Sequence, residues 1–511
     1  MTSLPTTWKS CALAVVATAC NVGPKYVRPA APVPAAFKEA AATSPLPPGT
    51  WQPAMPRDAA LKGKWWQLFG EPELNALEER LNVDNQNIAQ AFEQFMAARA
   101  QIGQARAAYY PTVTLGPSYN LIVEGNTSTG ARAGSVGVGT TGGGGTTGGG
   151  VSVINSFSLP LDVSWAPDLW GRVRNTVRQN QYAAQLSAAD LENTRLTAQA
   201  ALAEFYFQLR GQDALQDVYN RTIEVDRRSL ELTRALAETG IDSDEAVAQA
   251  EVTLANVEAA GTGIAVNRAI YEHAIATLIG RPASQFSLPV KPLTTAVPKI
   301  PLVVPSQLLE RRPDIAAAER AMAQANAAVG VAKAAYFPSL SLSASGGAQS
   351  SSLATLFALP ALFFSLGAVV SQTLFDGGLR KWTMEQSRAL YRANVAAYRG
   401  TVLTAFQQVE DYLATLRIVS QQIVRQTTAL RAARKYVELA MARYQTGLDP
   451  YLNVITAQTT LLGDEQTLVT LRVSEMTAAV QLVQALGGGW DVSQLPPAAD
   501  VTSPRTPERL R

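Results

Sequence analysis

The chain has 511 residues, a formal net charge of +2 and only 16% charged residues. That length can bury several hydrophobic cores, and the nearly balanced charge argues against a nucleic-acid-binding protein or an acidic tail. Outside the N-terminus no run of about 18 apolar residues occurs, so the sequence predicts no transmembrane helix. If the protein enters a membrane, it does so with β-strands.

The N-terminus has the pattern of a secretory signal that ends in a cysteine. A short apolar run leads to Ala17-Thr18-Ala19-Cys20, which resembles a bacterial lipobox. This pattern predicts removal of residues 1–19 and attachment of diacylglycerol and a fatty acyl group to Cys20; a plain signal peptide with a chance cysteine is the alternative. Asn21 stands where an inner-membrane retention signal would resemble Asp, so sorting to the outer membrane is expected.

Residues 20–70 are predicted to form an extended N-terminal segment that lies on the body of the protein. Proline and alanine are frequent up to Pro56, and such a composition does not favour regular structure. Helical periodicity then runs from Glu71 to Tyr109, where Pro111 ends it.

Four segments show the two-residue period of β-strands, with apolar and polar residues alternating. They cover about 112–121, 157–165, 339–346 and 364–375. Each is close to the length of about 9 to 11 residues that a tilted strand needs to cross a bilayer, with one face for lipid and one for a lumen. The alternative is a soluble β-sandwich, which four strands separated by long helices do not favour.

Four strands cannot close a barrel, and an open sheet edge in lipid would leave N–H and C=O groups without partners. The chain is therefore expected to oligomerise. Two subunits would give about eight strands with a filled interior, whereas three would give about twelve strands and leave a lumen. The sequence predicts a homotrimer.

Most of the remaining chain has helical periodicity. Two runs of roughly 65 residues are each followed by a turn with glycine at the C-cap and by a returning helix. The long runs cover 174–238 and 380–445, the turns cover 239–243 and 446–450, and the returning helices end at Gly280 and Gly487. Lengths far beyond 25 residues, with Leu and Val spaced three and four apart, favour coiled-coil packing.

These elements come from two copies of one unit. Residues 98–115 match residues 325–342 at a separation of 227 positions, and the second half of the unit repeats at a separation of 207, as in Gly240 and Gly447. The first copy therefore holds about 20 additional residues, where the glycine-rich tract 134–150 lies. The predicted domains are repeat 1 over 71–280, an inter-repeat linker over 281–313, repeat 2 over 314–487 and a C-terminal tail over 488–511.

Several short motifs are specific when they are taken together. They are Val22-Gly23-Pro24-Lys25-Tyr26, Trp65-Trp66, Pro167-Asp168-Leu169-Trp170-Gly171-Arg172, Leu308-Leu309-Glu310-Arg311-Arg312-Pro313-Asp314-Ile315 and Ala485-Leu486-Gly487-Gly488-Gly489-Trp490. With them the chain resembles the TolC-like outer-membrane efflux ducts, specifically the lipoprotein (NodT-type) branch that serves resistance-nodulation-division pumps. The resemblance covers nearly the whole chain from Cys20 to Trp490.

The resemblance implies a mixed α and β fold in a trimeric outer-membrane efflux duct. A 12-stranded β-barrel, with four strands from each subunit, would continue into a long periplasmic α-helical barrel. Such a duct would passively conduct drugs or other small toxic organic compounds out of a Gram-negative cell, as the exit of a tripartite pump. Its partners would be outer-membrane lipid, a periplasmic adaptor (membrane fusion) protein and an inner-membrane transporter, with no nucleic acid.

The resemblance also implies a periplasmic constriction close to the second helical turn. Its candidate residues are Arg443, Tyr444, Leu452, Thr456 and Thr459. Thr456 stands in place of the usual aspartate, Thr459 replaces an arginine, and Ala246 in the first copy stands where relatives often carry Asp. Three threonines cannot form the cation-binding ring that three aspartates would form.

The two helical turns are the expected contacts for the adaptor or the pump, through Gly240, Asp242, Gly447 and Asp449. The two aspartates could supply an acidic ring near the constriction. Alternatively, Asp242 and Asp449 cap helices and lie in solvent.

No enzyme activity, metal site or cofactor beyond the lipid is predicted. The single histidine, His273, lies in a helical segment without a paired nucleophile, and the glycine-rich tract lacks the lysine of a P-loop, so it is expected to be a flexible outer loop. Efflux of heavy-metal ions is an alternative function that one His and seven Met scarcely support. Secretion of a polypeptide through the same duct is a second alternative. A trimeric structural stalk or adhesin, which belongs to a different class of protein, is a third.

Overall fold

A computed structural model describes residues 21–34, 36–39, 63–125, 151–298, 300 and 305–502 of the chain. Cys20, the signal sequence and the glycine-rich tract 134–150 lie outside the described residues. None of the helices in the described ranges is both long and apolar enough to cross a membrane.

The elements follow one another in the same order in both copies. The first copy contains α1 (Pro72–Asp84), α2 (Gln86–Ala107), β1 (Thr112–Leu115), β2 (Ser118–Gly125), β3 (Val151–Trp165), α3 (Arg172–Glu238) and α4 (Asp244–Leu278). The second contains α5 (Pro305–Arg311), α6 (Pro313–Ala334), β4 (Ser339–Ser350), β5 (Leu362–Ser371), α7 (Leu379–Gln445) and α8 (Tyr451–Ala485), followed by α9 (Ala498–Thr502). Short 3-10 helices occur at Trp65–Phe69, Ala283–Gln285, Leu353–Thr355, Leu359–Ala361 and Val492–Gln494.

The duplication seen in the sequence is present in the lengths and registers of these elements. Helices α3 and α7 have 67 residues each, and α4 and α8 have 35 each. Thr112 lies opposite Ser164 in the β1–β3 pair, and their equivalents Ser339 and Ser371 lie opposite each other in the β4–β5 pair. The two β-hairpins therefore have the same register.

The structure corrects two predicted elements of the first copy. The helix expected over 71–109 is broken at Asn85, because the Asn85 Oδ1 atom accepts hydrogen bonds from the N–H groups of Asn87 and Ile88 and caps α2. The strand expected over 112–121 is broken between β1 and β2, where Pro117 lacks an N–H group for the ladder.

Other predicted boundaries also differ. Residues 65–69, expected to be extended, form a 3-10 helix with buried Trp65, Trp66 and Phe69, and the inter-repeat linker 281–313 contains the helix α5. Strand β3 begins earlier than expected, at Val151, and β5 ends earlier, at Ser371. The alternation of residues located the strands correctly but not their ends.

One compact unit contains the β-sheet and comprises, among the described residues, 21–25, 102–125, 151–179 and 326–389. The sheet is antiparallel in the order β1, β3, β4, β5, and β2 pairs with β3 further along the strand. The two copies meet at β3 and β4, where Trp165 lies opposite Leu342. Strands β1 and β2 form one edge of the sheet and β5 forms the other.

The second compact unit is helical and comprises, among the described residues, 26–34, 36–39, 63–101, 180–298, 300, 305–325 and 390–502. The side chains of Trp65, Leu74 and Leu81 are fully buried in its core. Its inter-repeat segment is held by the buried Arg210 guanidinium, which donates to Asp213 Oδ2 (2.9 Å) and to the carbonyl oxygen of Pro289 (2.7 Å).

The N-terminal segment lies on helices of the second copy within this unit. The Tyr26 hydroxyl donates to Glu319 Oε1 of α6 (3.1 Å), and Arg28 donates to the Tyr398 hydroxyl of α7 (3.0 Å). Glu39 forms an ion pair with Arg417 at 2.7 Å. These bonds fix residues 26–39, where described, to the helical body.

Candidate functional site

The candidate site lies at the turns of two helical hairpins, which belong to the helical unit. Hairpin 1 consists of α3 and α4, and hairpin 2 consists of α7 and α8. Gly240 and Gly447 end the long helices with φ angles of +70° and +73°, which side chains disfavour. The N–H group of Ile241 donates to the Leu236 carbonyl, and that of Leu448 donates to the Arg443 carbonyl, as in a Schellman motif.

Apolar and aromatic side chains join the two hairpins next to these turns. We call this group the turn cluster, and its buried members are Leu230, Ala246, Ala250, Tyr444, Tyr451 and Val454. The rings of Tyr444 and Tyr451 lie 5.2 Å apart at a tilted angle. Because residues of all four helices contribute, the cluster fixes the separation of the two hairpins within the subunit.

A polar contact crosses between the hairpins at the edge of the turn cluster. The hydroxyl of Tyr444 in hairpin 2 donates to Asp242 Oδ2 in the turn of hairpin 1 at 2.6 Å, and its oxygen lies 3.0 Å from Thr233 Oγ1. Burial and the Asp242 carboxylate raise the pKa of Tyr444, so the hydroxyl keeps its proton at neutral pH. This charge-assisted hydrogen bond holds the turn of hairpin 1 against hairpin 2.

The equivalent aspartate of hairpin 2 is held within its own hairpin. Arg443 Nε lies 2.6 Å from Asp449 Oδ2, and this guanidinium lowers the pKa of the Asp449 carboxyl. The residues of hairpin 1 at the positions of Arg443 and Tyr444 are Leu236 and Ala237, which cannot bind a carboxylate. Asp242 Oδ1 accepts from the Ser243 N–H group of its own turn at 2.8 Å, whereas Oδ2 accepts from Tyr444 of hairpin 2. The side-chain partner of Asp242 thus lies in the other hairpin, and that of Asp449 lies in its own. Neither aspartate is the N-cap residue of its returning helix; Ser243 and Pro450 are.

The five constriction candidates do not share one surface in the subunit. Leu452, Thr456 and Thr459 lie on one exposed face of α8, at the spacing of four and three residues that a helical face requires. Tyr444 is only 4% exposed and Ala246 only 7%, because both pack in the turn cluster. That Tyr444 lines the constriction stays a prediction; within the described subunit Tyr444 is a buried link between the hairpins.

A buried carboxyl group, that of Asp226, lies in the C-terminal part of α3, about three helical turns before the turn at 239–243. Asp226 is 2% exposed, and neither of its oxygens accepts a hydrogen bond from the described residues. Burial raises the pKa of Asp226 to about 6. Burial and the charge of Asp226 in turn raise the pKa of Tyr451 in the turn cluster to about 12.

The pKa of Asp226 predicts how stability changes with pH. Because the folded-state pKa lies above the unfolded value of about 3.9, the favourable contribution of the protonated carboxyl is present below about pH 4 and is lost as the pH rises through 6. We expect the unfolding temperature of Asp226→Asn to rise relative to that of the unaltered protein as the pH increases from about 4 to about 6, and the difference to stay constant at higher pH. Thermal unfolding followed by circular dichroism at several pH values measures this difference, and Asp217→Asn, at an exposed ion pair of the same helix, is the control. A difference in unfolding temperature that is independent of pH would contradict the raised pKa of Asp226.

Sequence reasoning missed the buried residues of this site although a signal was present. Leu430, Ala433, Ala440 and Tyr444 are buried along α7 at spacings of three, seven and four residues, which is the pattern of a coiled-coil seam. Placing Tyr444 on this seam would have predicted a packed aromatic ring. No sequence signal identifies Asp226, because acidic residues in long helices are mostly exposed.

The chain matches known proteins over nearly its whole length. A profile of the family described as "Outer membrane efflux protein" matches residues 77–281 and 304–488. The "Toluene efflux pump outer membrane protein TtgC" of Pseudomonas putida is 30% identical over 499 residues, covering 95% of this chain and 96% of that protein. The "Pyoverdine export outer membrane protein OpmQ" of Pseudomonas aeruginosa is 29% identical over 436 residues, covering 85% and 89%.

Solved structures match as well. The outer-membrane channel OprN superposes with a TM-score of 0.80 at 27% identity, covering 92% of this chain and all of that chain. The CmeC outer-membrane channel of Campylobacter jejuni superposes with a TM-score of 0.79 at 21% identity, covering 94% of this chain and 97% of the other, and supports the fold alone.

Proposed function

The chain belongs to the outer membrane efflux protein family, and we propose that this outer-membrane protein is the exit duct of a tripartite pump for small toxic organic compounds. The observation that carries the proposal is the match over both copies to efflux channel proteins. Several of those relatives are named for toluene or solvent efflux and one for pyoverdine export, which supports an organic substrate. No catalytic step enters this function.

The assembly we propose is a homotrimer. The four strand positions of the subunit leave two unpaired edges, and lipid offers no partner for their backbone groups. Large apolar side chains on these edges are exposed, for example Leu121 (54%) and Leu366 (73%). Three subunits would pair all edges and surround an aqueous lumen of about twelve strands.

The two helical turns are the proposed contact with a periplasmic adaptor and with an inner-membrane transporter of the resistance-nodulation-division class. Ile241 and Leu448 occupy equivalent positions in the turns and are 67% and 68% exposed. Exposed apolar side chains at both turns support a protein contact there. A glycine and an aspartate flank each of these side chains in sequence, namely Gly240 and Asp242 in hairpin 1 and Gly447 and Asp449 in hairpin 2.

The constriction we propose is formed by the exposed face of α8. Leu452, Thr456 and Thr459 would face the axis in three copies, without an aspartate ring. Such a surface is uncharged, so it would select less strongly for cations than an acidic ring.

We also propose that Cys20 carries diacylglycerol and a fatty acyl group. Replacing Cys20 with alanine should abolish labelling of the protein by radioactive palmitate, because the acyl groups have no other attachment point in this proposal. The protein should still be found in the outer membrane, since strands hold it there independently. Cys11→Ala is the matched control and should leave the labelling unchanged. Labelling that survives Cys20→Ala would contradict the anchor.

Deletion and complementation test the proposed function. Removing the gene should lower the tolerance of the cell to toluene and hydrophobic drugs, and the intact gene should restore it. Tolerance to copper and silver ions should not change, which separates organic efflux from metal efflux. Unchanged tolerance to all organic compounds in a strain without other such ducts would contradict the proposal.

A further inference from the structure

Three arginine side chains lie around Tyr109, where the β-sheet meets the helices of the same compact unit. Arg106 is in the last turn of α2, and Arg174 and Arg178 are one turn apart near the start of α3. Burial and the Asp168 charge raise the pKa of Tyr109, and the charges of all three guanidinium groups partly offset this rise. We call Arg106, Arg174 and Arg178 the arginine cluster.

The arginine cluster carries positive charge that the described part of the subunit does not neutralise. Asp168 is the carboxylate that acts on Tyr109, and its two oxygens accept hydrogen bonds from the N–H groups of Val173 and Arg174 at 3.1 and 2.9 Å. Arg106 and Arg178 are exposed, and neither forms an ion pair with a described residue. Three guanidinium groups against one carboxylate leave two positive charges in excess.

The cluster lies at the level where the apolar face of the sheet begins. The Trp165 indole donates to the Tyr109 carbonyl oxygen at 3.0 Å, and Trp165 is on the same face of β3 as Val163. Val163 lies opposite Val113, which is 60% exposed. Aromatic rings between an apolar strand face and charged groups are typical of the boundary between membrane and water. The arginines are therefore placed where lipid headgroups would meet this face of the sheet.

The residue that follows the proposed lipid anchor lies beside the same turn of α3. Asn21 Oδ1 accepts a hydrogen bond from the Asn175 side chain at 2.9 Å, and Asn175 directly follows Arg174 in the chain. Cys20 is bonded to Asn21, so acyl groups attached to Cys20 would enter the membrane near the arginine cluster. This contact is independent of the charges and places the cluster at the same membrane surface.

We propose that the arginine cluster binds the phosphate group of an anionic phospholipid, such as phosphatidylglycerol, in the membrane leaflet at this end of the sheet. The site rests on the outer-membrane location given under the proposed function. Guanidinium groups donate paired, charge-assisted hydrogen bonds to phosphate oxygens, and the Trp165 ring would lie against the glycerol and acyl part of the lipid. A zwitterionic headgroup brings a cation of its own, which the excess positive charge repels.

The second copy does not repeat the cluster. At the equivalent positions it carries two lysines and a glutamate, namely Lys333, Lys381 and Glu385. An additional cation, Arg380, lies over the Tyr336 ring but is paired with Asp376. Lysine lacks the planar fork that binds two phosphate oxygens, and Glu385 repels an anion. We therefore expect one tight lipid site in each subunit, in the first copy.

Lipid titration of the purified full-length protein in detergent, with bound lipids counted by native mass spectrometry, tests the site. Phosphatidylglycerol should bind at least about tenfold more tightly than phosphatidylcholine. Arg106→Gln with Arg178→Gln should weaken phosphatidylglycerol binding by about tenfold or more, because two charges that contact phosphate are lost. Lys333→Gln with Lys381→Gln removes the same charge from the second copy and should change binding by less than about twofold. If the arginine variant does not fold, Arg178→Glu alone should give the same loss.

Three results would overturn the lipid site. The first is equal affinity of the unaltered protein for the two lipids, and the second is an equal loss in the arginine and lysine variants, which would show unspecific attraction to basic residues. The third is displacement of phosphatidylglycerol by inorganic phosphate at equal concentration, which would make the cluster a site for free anions. None of these results touches the duct, since tolerance of cells to organic compounds on gene deletion tests that function separately.

Discussion

Replacing Gly487 with alanine should destabilise the helical unit by about 2 to 5 kcal/mol. Gly487 has a φ of +94°, and a Cβ atom added to it would lie 2.0 Å from the carbonyl oxygen of Arg311. An L-residue is strained at that backbone angle, and the overlap with the carbonyl oxygen requires a displacement of α5. Denaturant unfolding of the detergent-solubilised protein measures the loss, and a lower yield of folded protein should accompany it.

The duplication provides a second site and the helices provide a control for this result. Gly280 is the equivalent of Gly487, with a φ of +68° and an added Cβ atom 2.4 Å from the carbonyl oxygen of Asp84, so Gly280→Ala should also destabilise. Gly463 lies inside α8 with nothing within 4 Å of an added Cβ atom. Gly463→Ala should stabilise by roughly 0.5 to 1 kcal/mol. If Gly487→Ala were as stable as Gly463→Ala, the close approach of α5 to Gly487 would be refuted.

Replacing Tyr444 with phenylalanine should open the turn end of the duct. The substitution removes the hydrogen bond to Asp242 and the contact with Thr233 but keeps the ring in the turn cluster, so the turn of hairpin 1 loses this bond to hairpin 2 without a cavity. A hydrogen bond to a charged group contributes about 1.5 to 3 kcal/mol, which corresponds to about a tenfold or larger increase in the open population. Whole-cell uptake of a hydrophilic antibiotic that the intact outer membrane excludes measures this increase.

Variants of neighbouring residues separate the hydrogen bond from general damage. Asp242→Asn should have a similar effect, since a neutral amide oxygen is a weaker acceptor than a carboxylate. Tyr436→Phe, on the same helix and 42% exposed, leaves the Asp242 bond in place and should not change uptake. Equal uptake by Tyr444→Phe, Tyr436→Phe and unaltered cells would mean that the bond does not restrain the hairpins.

The sequence was sufficient for the parts of the fold that repetition and periodicity determine. Two separations, 227 and 207 positions, placed the equivalent hairpins, and these are the elements with equal lengths in the structure. Alternating residues identified the strands in both copies because one face of each is apolar. Local events were not predicted: a side-chain cap at Asn85 and a missing N–H group at Pro117 divide elements whose periodicity is continuous.

The site was harder to predict than the fold because its residues act through contacts across the two hairpins. The resemblance placed Tyr444 at a constriction, but whether a helical residue faces a lumen or a neighbouring helix depends on the packing of all four helices. The bond between Tyr444 and Asp242 joins residues 202 positions apart, and no local pattern reveals it. Thr456, at the position of the family's usual aspartate, lies on an exposed face of α8. Ala246, at a position where relatives often carry Asp, is buried in the turn cluster.

Single-channel recording of the purified protein in a planar lipid bilayer distinguishes a duct from a solid stalk. A duct formed by three subunits should give discrete ion currents, and Tyr444→Phe should give larger or longer-lived ones than the unaltered protein. A solid trimeric stalk has no lumen and should give no current in either case. The absence of current from correctly folded trimers of both proteins would show that the trimer does not enclose a conducting lumen.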